Sequence, residues 1–512
     1  MESYTHGRPA TPRCKAAWGP RRAGVRHGRS ATSMENAVTA QGILLTPRAR
    51  PWGVGLISDM APPQFLYLNG VFEAVSGGKG VPANVFVVGL EPFNRRLLQR
   101  VRGAADYRFH GLLDVATVAG RGPFDVEALL AEAREVLDDF DEPIDAIVGY
   151  WDFPTQLLLP VLRQERGLRG PSLEAVLAAE HKYWARTLQR RIVPELLPPF
   201  AVVDPFADDA ARCPALDYPF WLKPVKAHSS LLGFRIANRA DLAHAIDQIR
   251  RGIDEFSVPL EAFLRRADLP AEIARLPSTA CIAEGIIAHG RQCTLEGYVH
   301  AGKAHVYAVV DSIRGPNRCS FERYEYPSTL PPAVRAEMAA LACRVVEHGG
   351  LDDTPFNMEF YHDARHDRLW LLEINVRISK SHGPLFEKVT GVPHFEVMLD
   401  LALGRQPDYP PAELRYRHAA KFMPRLYGRH DRAVVKATPS AEDIAALEAR
   451  FPGSDIQMHL RPGMRLGQIR HRDSYSYELA TIFMGAQSHQ ALMADYRRCR
   501  AALGVVIEGH AT

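Results

Sequence analysis

The chain lacks the marks of a secreted, membrane-spanning or nucleic-acid-binding protein. Its seven cysteines (Cys14, Cys213, Cys281, Cys293, Cys319, Cys343 and Cys499) are odd in number and dispersed, with no CxxC spacing. Such a set excludes a disulfide framework and a cysteine-based structural zinc centre. No apolar run approaches the roughly 20 residues needed to span a bilayer. The net charge is only +3, which offers no long-range field for DNA or an anionic membrane. The expected setting is a reducing, cytoplasmic compartment, with neither nucleic acid nor membrane as partner.

What is present is a large globular chain. Its 512 residues suggest two to four domains. Hydrophobic content of 46% and charged content of 24% are those of an ordinary soluble protein with a sizeable core. The charge is uneven. Residues 1–50 hold nine Lys/Arg against Glu2 and Glu35, many Gly, Pro, Ser and Thr, and no hydrophobic period. Residues 1–60 therefore read as a disordered basic stretch. They lack the apolar core of a secretory signal and the amphipathic pattern of a transit peptide. Initiation at Met34 or Met60 fits this stretch better than either.

Beyond it, strand and helix signals alternate to about residue 170. ANVFVVGL (83–90) reads as a buried strand, 126–139 as an amphipathic helix, 144–154 as a strand and 155–168 as a helix closed by glycine. This is the pattern of a small α/β domain with a parallel sheet. Ligands of such sheets lie at the carboxyl ends of strands, where Tyr150, Trp151 and Asp152 fall, although packing and capping are the plainer roles for them. SGGKG (76–80) precedes a strand and lacks the GxxxxGK[ST] frame, so it reads as a turn. After 171 come one long helix (172–191), strands at 218–225 and 231–237, a helix at 240–253 and a strand plus hairpin over 279–314 that turns at Ala301-Gly302-Lys303. A helix over 331–350 and another over 394–404 follow. The segment 315–327, with Arg318, Arg323, Tyr324 and Tyr326, reads as a loop near a substrate pocket. Residues 415–510 form a smaller mixed region.

One hairpin carries the chemistry. Phe356, Met358 and Phe360 alternate with Asn357, Glu359 and Tyr361. Trp370, Leu372, Ile374 and Val376 alternate with Leu371, Glu373, Asn375 and Arg377. Period two means strands with one apolar and one functional face. With His366 at the centre of the tip, Glu359 lies opposite Glu373, and Asn357 opposite Asn375. Like charges directly opposed destabilise a sheet, which implies a cation between them. An all-oxygen set of two carboxylates and an amide suits Mg²⁺ or Mn²⁺ rather than zinc.

The ordered elements HKYWAR (181–186), WLKPV (221–225), IAEGIIAHGRQCTLEG (282–297), FNMEF (356–360) and EINVRISKSH (373–382) resemble the ATP-grasp superfamily, specifically its carboxylate–amine and carboxylate–thiol ligases. The likeness covers about 145–404. It implies an α/β and α+β architecture: a Rossmann-like pre-ATP-grasp domain (61–170), an ATP-grasp domain of two α+β subdomains (171–408) and a small C-terminal α+β accessory region (409–512). By the same resemblance Lys182 and Lys223 hold the ATP phosphates, Ser229 and Ser230 lie in the loop over them, and Glu284 to Ile287 form the adenine hinge. Gln292 stands at the ribose side, where relatives often carry Glu. Glu359, Glu373 and Asn375 bind Mg²⁺ (or Mn²⁺), Arg377 holds an acyl phosphate, and Arg314 binds the acid substrate. Lysines on separate elements can clamp a polyphosphate and spread its charge.

The implied reaction converts a small carboxylate, an amino acid among the candidates, into an acyl phosphate with ATP. An amine then attacks, and ADP and phosphate leave. The partners are the acid and the amine, with a homodimer left open. EINVR followed by His382 also resembles biotin carboxylase. That family carries a glutamate base where this chain has Ser381, and the Met-Lys-Met biotin site is missing, which ranks bicarbonate activation second. A non-catalytic ATP-binding protein is the third reading, and the retained carboxylates and lysines weigh against it.

Overall fold

The structure, a computed structural model, describes residues 81–509 apart from 121, 123, 211–213, 228–230, 288–289, 409–414, 470 and 474. The basic stretch 1–60, the SGGKG turn, Ser229 and Ser230 lie outside the described residues. Three sheets position the functional residues. β1 (Ala83–Val88), β2 (Tyr107–Leu112) and β3 (Ala146–Val148) form a parallel sheet in the order β2-β1-β3. Val85 to Val88 are all buried, the continuous apolar run that a strand covered on both faces requires. The helix Val126–Asp138 buries Leu129, Leu130, Ala133 and Leu137, and Asp125 caps it by accepting from the Ala128 N–H at 3.0 Å.

The strand expected over 144–154 stops at Val148. A Cβ on Gly149 would lie 2.7 Å from the Thr155 side chain, so only glycine lets the chain turn this close to the helix Thr155–Glu165. The turn leaves Trp151 and Asp152 at the carboxyl end of the sheet.

The long helix expected over 172–191 is two helices, Leu173–Glu180 and Lys182–Ile192. His181 interrupts them with extended backbone and caps the second, its Nδ1 accepting from the Trp184 N–H at 3.2 Å. Burial pushes this imidazole down to about 4, so it is neutral and able to accept. The break places Lys182 in the first turn of its helix.

β4 (Phe200–Val203), β5 (Phe220–Pro224), β6 (Phe234–Ile236) and β7 (Cys281–Gly285) make an antiparallel sheet in the order β4-β7-β5-β6. Its apolar face joins Phe220, Leu222, Ile236 and Ala283 to Leu242, Ile246 and Ile249 of the helix Arg239–Gly252.

The largest sheet has eight strands. β8 (Arg291–His300), β9 (Lys303–Arg314), β10 (Phe321–Tyr326), β11 (Thr354–Asp363), β12 (Arg368–Asn375) and β13 (His418–Phe422) run in the order β12-β11-β8-β9-β10-β13, and strands Ala480–Ala486 and Asp455–Met458 extend it. β8 and β9 meet at Ala301 and Gly302 with φ of +50° and +72°, the left-handed pair that favours a tight hairpin. The segment expected as a loop over 315–327 contains β10. Only its start is a turn, fixed by Asn317 Oδ1 accepting from the backbone of Cys319 and Ser320. The aromatic-rich FERYEY after this turn pairs with both β9 and β13. Among the described residues no helix is long and apolar enough to cross a membrane.

Candidate active site

The β11–β12 hairpin has the expected register: Asn357 pairs with Asn375 and Glu359 with Glu373. A bulge next to Glu359 then shifts the pairing so that Phe360 meets Leu371. The bulge corrects the expected faces of β12. Leu369, Leu371, Ile374 and Val376 are buried, while Trp370 and Leu372 are only half-buried. The extra residue changes which side chains point inward on either side of it, and it brings Glu373 onto the face of Glu359 without breaking the core. Burial and the Glu373 charge together push the Glu359 carboxyl well above the ordinary carboxylate range.

Gln292, Arg314 and Glu359 form one chain. Gln292 Nε2 donates to Glu359 Oε2 at 2.8 Å, and its Oε1 accepts from Arg314 Nε and Nη2 at 3.1 and 2.6 Å. Arg314 also donates to the Cys319 carbonyl and lies 4.3 Å over the Phe321 ring. Gln292 therefore stands beside the carboxylate pair, relaying a guanidinium to it, with both ends of its amide engaged.

On the other side of the pair, Asn375 Nδ2 donates to Asn357 Oδ1 at 3.1 Å, and Asn357 Nδ2 donates to the Arg377 carbonyl at 3.0 Å. This fixes Asn375 Oδ1 toward Arg377 Nη2, 3.3 Å away. Arg377 Nη2 also reaches Asp152 Oδ2 at 3.1 Å. Burial works against the Arg377 charge, but Asp152 outweighs it and holds the guanidinium protonated. Tyr150 is buried against Phe395, as packing predicts. Trp151 and Asp152 do more: Asp152 orients Arg377, and Trp151 lies under Lys380, whose Nζ is 3.3 Å from the ring centroid.

Lys182, on its helix, and Lys223, on the small sheet, are both tied to this hairpin. Lys182 takes its backbone partner from Val225 at 2.8 Å, and its Nζ donates to the Ala227 carbonyl at 2.9 Å. Enclosure lowers its pKa, and Glu373 opposes the shift. Lys223 Nζ is 2.5 Å from Glu284 Oε2, and Arg186 Nε is 2.6 Å from Glu284 Oε1. Burial opposes the Glu284 charge, but Arg186 and Lys223 prevail and hold the carboxyl down at about 2. Glu284 is thus a buried ion-pair node rather than an exposed strand-end charge. Arg186 Nη2 reaches on to the Leu372 carbonyl of β12 at 2.6 Å. Ile287 is half-buried just past β7, in the link from the small sheet to β8.

Two residues outside the sequence expectation complete the connection. Lys226 Nζ lies 2.5 Å from Glu180 Oε2, both buried, and Glu180 Oε1 accepts from the Val376 N–H at 3.1 Å. Lys226 follows Lys223 by three residues, and Glu180 precedes HKYWAR by one; nothing in their sequence context separates them from surface charges. A cavity of about 580 Å³, lined by Phe93, Arg100, Ile444 and Asp455 among others, lies elsewhere and includes none of these residues.

The family described as "Carbamoyl-phosphate synthase L chain, ATP binding domain" matches residues 325–408, which span β11, β12 and Arg377. Among solved structures, the L-amino acid ligase from Bacillus licheniformis superposes with a TM-score of 0.61 at 16% identity, covering 83% of this chain and 99% of that one. The chain has the ATP-grasp fold. Biotin carboxylase from Campylobacter jejuni shares the ATP-grasp fold with a TM-score of 0.57 at 15% identity, over 83% of this chain and 92% of that one. The formate-dependent phosphoribosylglycinamide formyltransferase of Janthinobacterium sp. (strain Marseille) is 26% identical over 267 residues. That match covers 52% of this chain and 57% of the relative, so the chain spans little more than half that curated protein's length.

Among the described residues one further cluster, His459, His471 and Glu478, offers three donor atoms within 4.8 Å of one another. The two imidazoles are stacked 3.7 Å apart and nearly parallel, at 14°. Ring nitrogens donate in the ring plane, so parallel rings at this separation cannot both reach one ion at about 2 Å. Arg425 Nη2 already lies 3.2 Å from the same carboxylate. The cluster is a packed polar group.

Proposed function

We propose that the protein is an ADP-forming ligase that phosphorylates a small carboxylate with ATP and joins the acyl group to an amine, releasing ADP and phosphate. One observation carries this reading: Glu359 and Glu373 sit directly opposite each other, with Asn375 at the end of the same strand and Arg377 two residues beyond it. An enclosed like-charge pair with a raised carboxyl calls for a cation, and the all-oxygen donor set fits Mg²⁺ or Mn²⁺. Glu359, Glu373 and Asn375 would hold it. When bound, the metal offsets the charge of the β- and γ-phosphates.

The chain's own residues do the rest. Lys182 and Lys223 converge from separate elements to neutralise phosphate oxygens. Ser229 and Ser230 belong to the segment between β5 and β6 and are assigned to cover them. The β7–β8 link, from Glu284 to Ile287, takes the adenine. Arg377, braced by Asp152, stabilises charge on the acyl phosphate. Arg314, with Gln292, faces the acid beside the carboxylate pair.

ADP release, screened with pairs of amino acids and small acids on the wild type and Glu373→Ala, tests the assignment. Turnover is expected to need Mg²⁺ and to fall at least about 10²-fold in the variant. Full turnover by Glu373→Ala would refute the metal site. Bicarbonate-dependent release stimulated by biotin would favour the second reading, in keeping with the biotin carboxylase likeness. ATP binding without release for any acid would mark a binding protein.

A further inference from the structure

The amine that completes a ligation arrives at neutral pH as an ammonium ion, since an α-amino group titrates near 8 and an aliphatic amine near 10. It must lose a proton before it can attack. The acids and histidines around Arg377 are committed elsewhere: Glu180 to Lys226, Glu284 to Arg186 and Lys223, Asp152 to Arg377, and His382 to Glu296, 2.6 Å from its Nδ1. Glu359 and Glu373 are the metal pair.

One contact near Arg377 has a different character. Lys421, on β13, donates from Nζ to Ser381 Oγ at 3.0 Å. Lys421 is buried. The groups that face it are Ser381, the Tyr324 ring, Glu478, Arg425, Lys380, His382 and His471. Glu478 is the acid among them, and its Oε1 is 4.0 Å from Nζ, beyond hydrogen-bond reach. That carboxylate is already occupied by Arg425 at 3.2 Å, Thr481 at 2.8 Å and His459 at 3.4 Å. Glu478 thus favours a proton on Lys421 only through a long ion pair and no hydrogen bond, while burial, Lys380 and Arg425 oppose one.

We infer that Ser381 takes the proton of the incoming amine and that Lys421 acts through Ser381 as its final acceptor. This inference rests on the ligase reading above. In the step, the ammonium gives one proton to Ser381 Oγ while the Ser381 proton passes to the lone pair of Lys421 Nζ. The freed nitrogen lone pair forms the C–N bond. The C–O bond to phosphate breaks, phosphate leaves with that electron pair, and it accepts the second nitrogen proton. Burial lowers the Lys421 pKa, as the role requires. Ser381 follows Glu373, Asn375 and Arg377 on one short segment, which brings this acceptor to the residues assigned to the acyl phosphate.

The test uses two nucleophiles. Hydroxylamine is neutral at pH 7 and needs no base, whereas an amino-acid amine does. Wild type, Lys421→Met, Lys421→Arg and Ser381→Ala are given ATP, Mg²⁺ and a pool of the protein amino acids as acids. Hydroxamate is read with hydroxylamine present, and dipeptide without it. The expected result is that all three variants keep hydroxamate formation within a few-fold but lose about 10²–10⁴-fold in dipeptide formation at pH 7. The variants should regain dipeptide formation about tenfold per pH unit as the amine deprotonates in solution. Arginine preserves charge and hydrogen bonding but cannot accept the proton, so wild-type ligation by Lys421→Arg would overturn the inference. So would equal loss of both products, or a pH profile the same as wild type. If wild type forms neither product with this pool nor with the small acids of the ADP-release screen, the ligase reading itself falls.

Discussion

Replacing Glu284 by glutamine tests whether the small sheet is anchored to the metal hairpin through one buried carboxylate. The change keeps the shape of the side chain and removes its charge, leaving Arg186 and Lys223 facing an amide. The side chains of Glu284 and Arg186 are 7% and 4% exposed, so solvent cannot replace what is lost. A carboxyl held at about 2 instead of its ordinary 4.5 contributes about 3 kcal/mol at pH 7. Breaking one partner of a buried ion pair costs about 3–5 kcal/mol, so the two figures agree. The sign is fixed by the direction of the shift. A depressed carboxylate stabilises the fold above its ordinary value, and that contribution fades as pH falls toward about 2. The difference between wild type and Glu284→Gln should therefore shrink from about 3 kcal/mol at pH 7 to about 1 kcal/mol at pH 3. Native-state hydrogen exchange of the β4, β5 and β7 amides is the assay, because it reads the local opening of this sheet in a multi-sheet protein. A difference under 1 kcal/mol at pH 7, or one unchanged on acidification, would show that Glu284 is not the anchor.

The opposed pair Glu359 and Glu373 predicts the opposite pH dependence. Glu359 is raised, so its cost is absent below its ordinary value of 4.5, grows as pH rises toward about 7 and then levels off; metal-free Glu359→Gln should melt about 2 °C or more above wild type at pH 8 and with it at pH 4, and Mg²⁺ should raise only the wild type, by calorimetry. Asp152→Asn releases the brace on Arg377 and should lower kcat/KM for the acid about ten- to a hundredfold with unchanged ATP affinity, read by steady-state kinetics beside titration calorimetry. Glu296 is wholly buried between His382 and His394, whose nearest nitrogens lie 2.6 and 3.3 Å from its oxygens; Glu296→Ala should cost about 3 kcal/mol and Glu296→Gln markedly less, measured by urea unfolding.

The hairpin register was legible because period-two alternation and a short polar tip define it. The bulge at Glu359 was not: one extra residue leaves the composition of β12 unchanged while reassigning which of Leu371 and Leu372 is buried. The helix break at His181 was hidden for a related reason. A buried neutral histidine serves as a cap only in its tertiary setting, and the helix signal runs on through it. β10 was missed because the turn residues Gly315 to Asn317 mask the aromatic strand after them. Lys182 and Lys223 stood out by their order in the chain, whereas Glu180, Arg186 and Lys226 could not be told from surface charges. Only burial distinguishes a charge that must be paired. Asp152 meets Arg377, and Lys421 meets Ser381, across sequence distances too great for local pattern to register.

These partners alter how nucleotide binding should be understood. Lys223 is held by Glu284, Lys182 by the Ala227 carbonyl and Arg377 by Asp152 and Asn375. Each assigned cation is already placed by an oxygen. A phosphate entering the site then competes for contacts with side chains whose positions are set, so little rotamer entropy is lost on binding. The cost is a weaker ground-state attraction, because each cation is partly neutralised. The gain is selective. The γ-phosphoryl oxygens and the acyl carbonyl gain charge only as transfer proceeds, and fixed cations that are only partly satisfied respond most strongly to that added charge. Lys226 differs from these three. Glu180 holds it in a closed buried pair and also fixes the Val376 amide between Asn375 and Arg377, so its charge secures the strand that presents the metal and acyl-phosphate residues and is not available to phosphate.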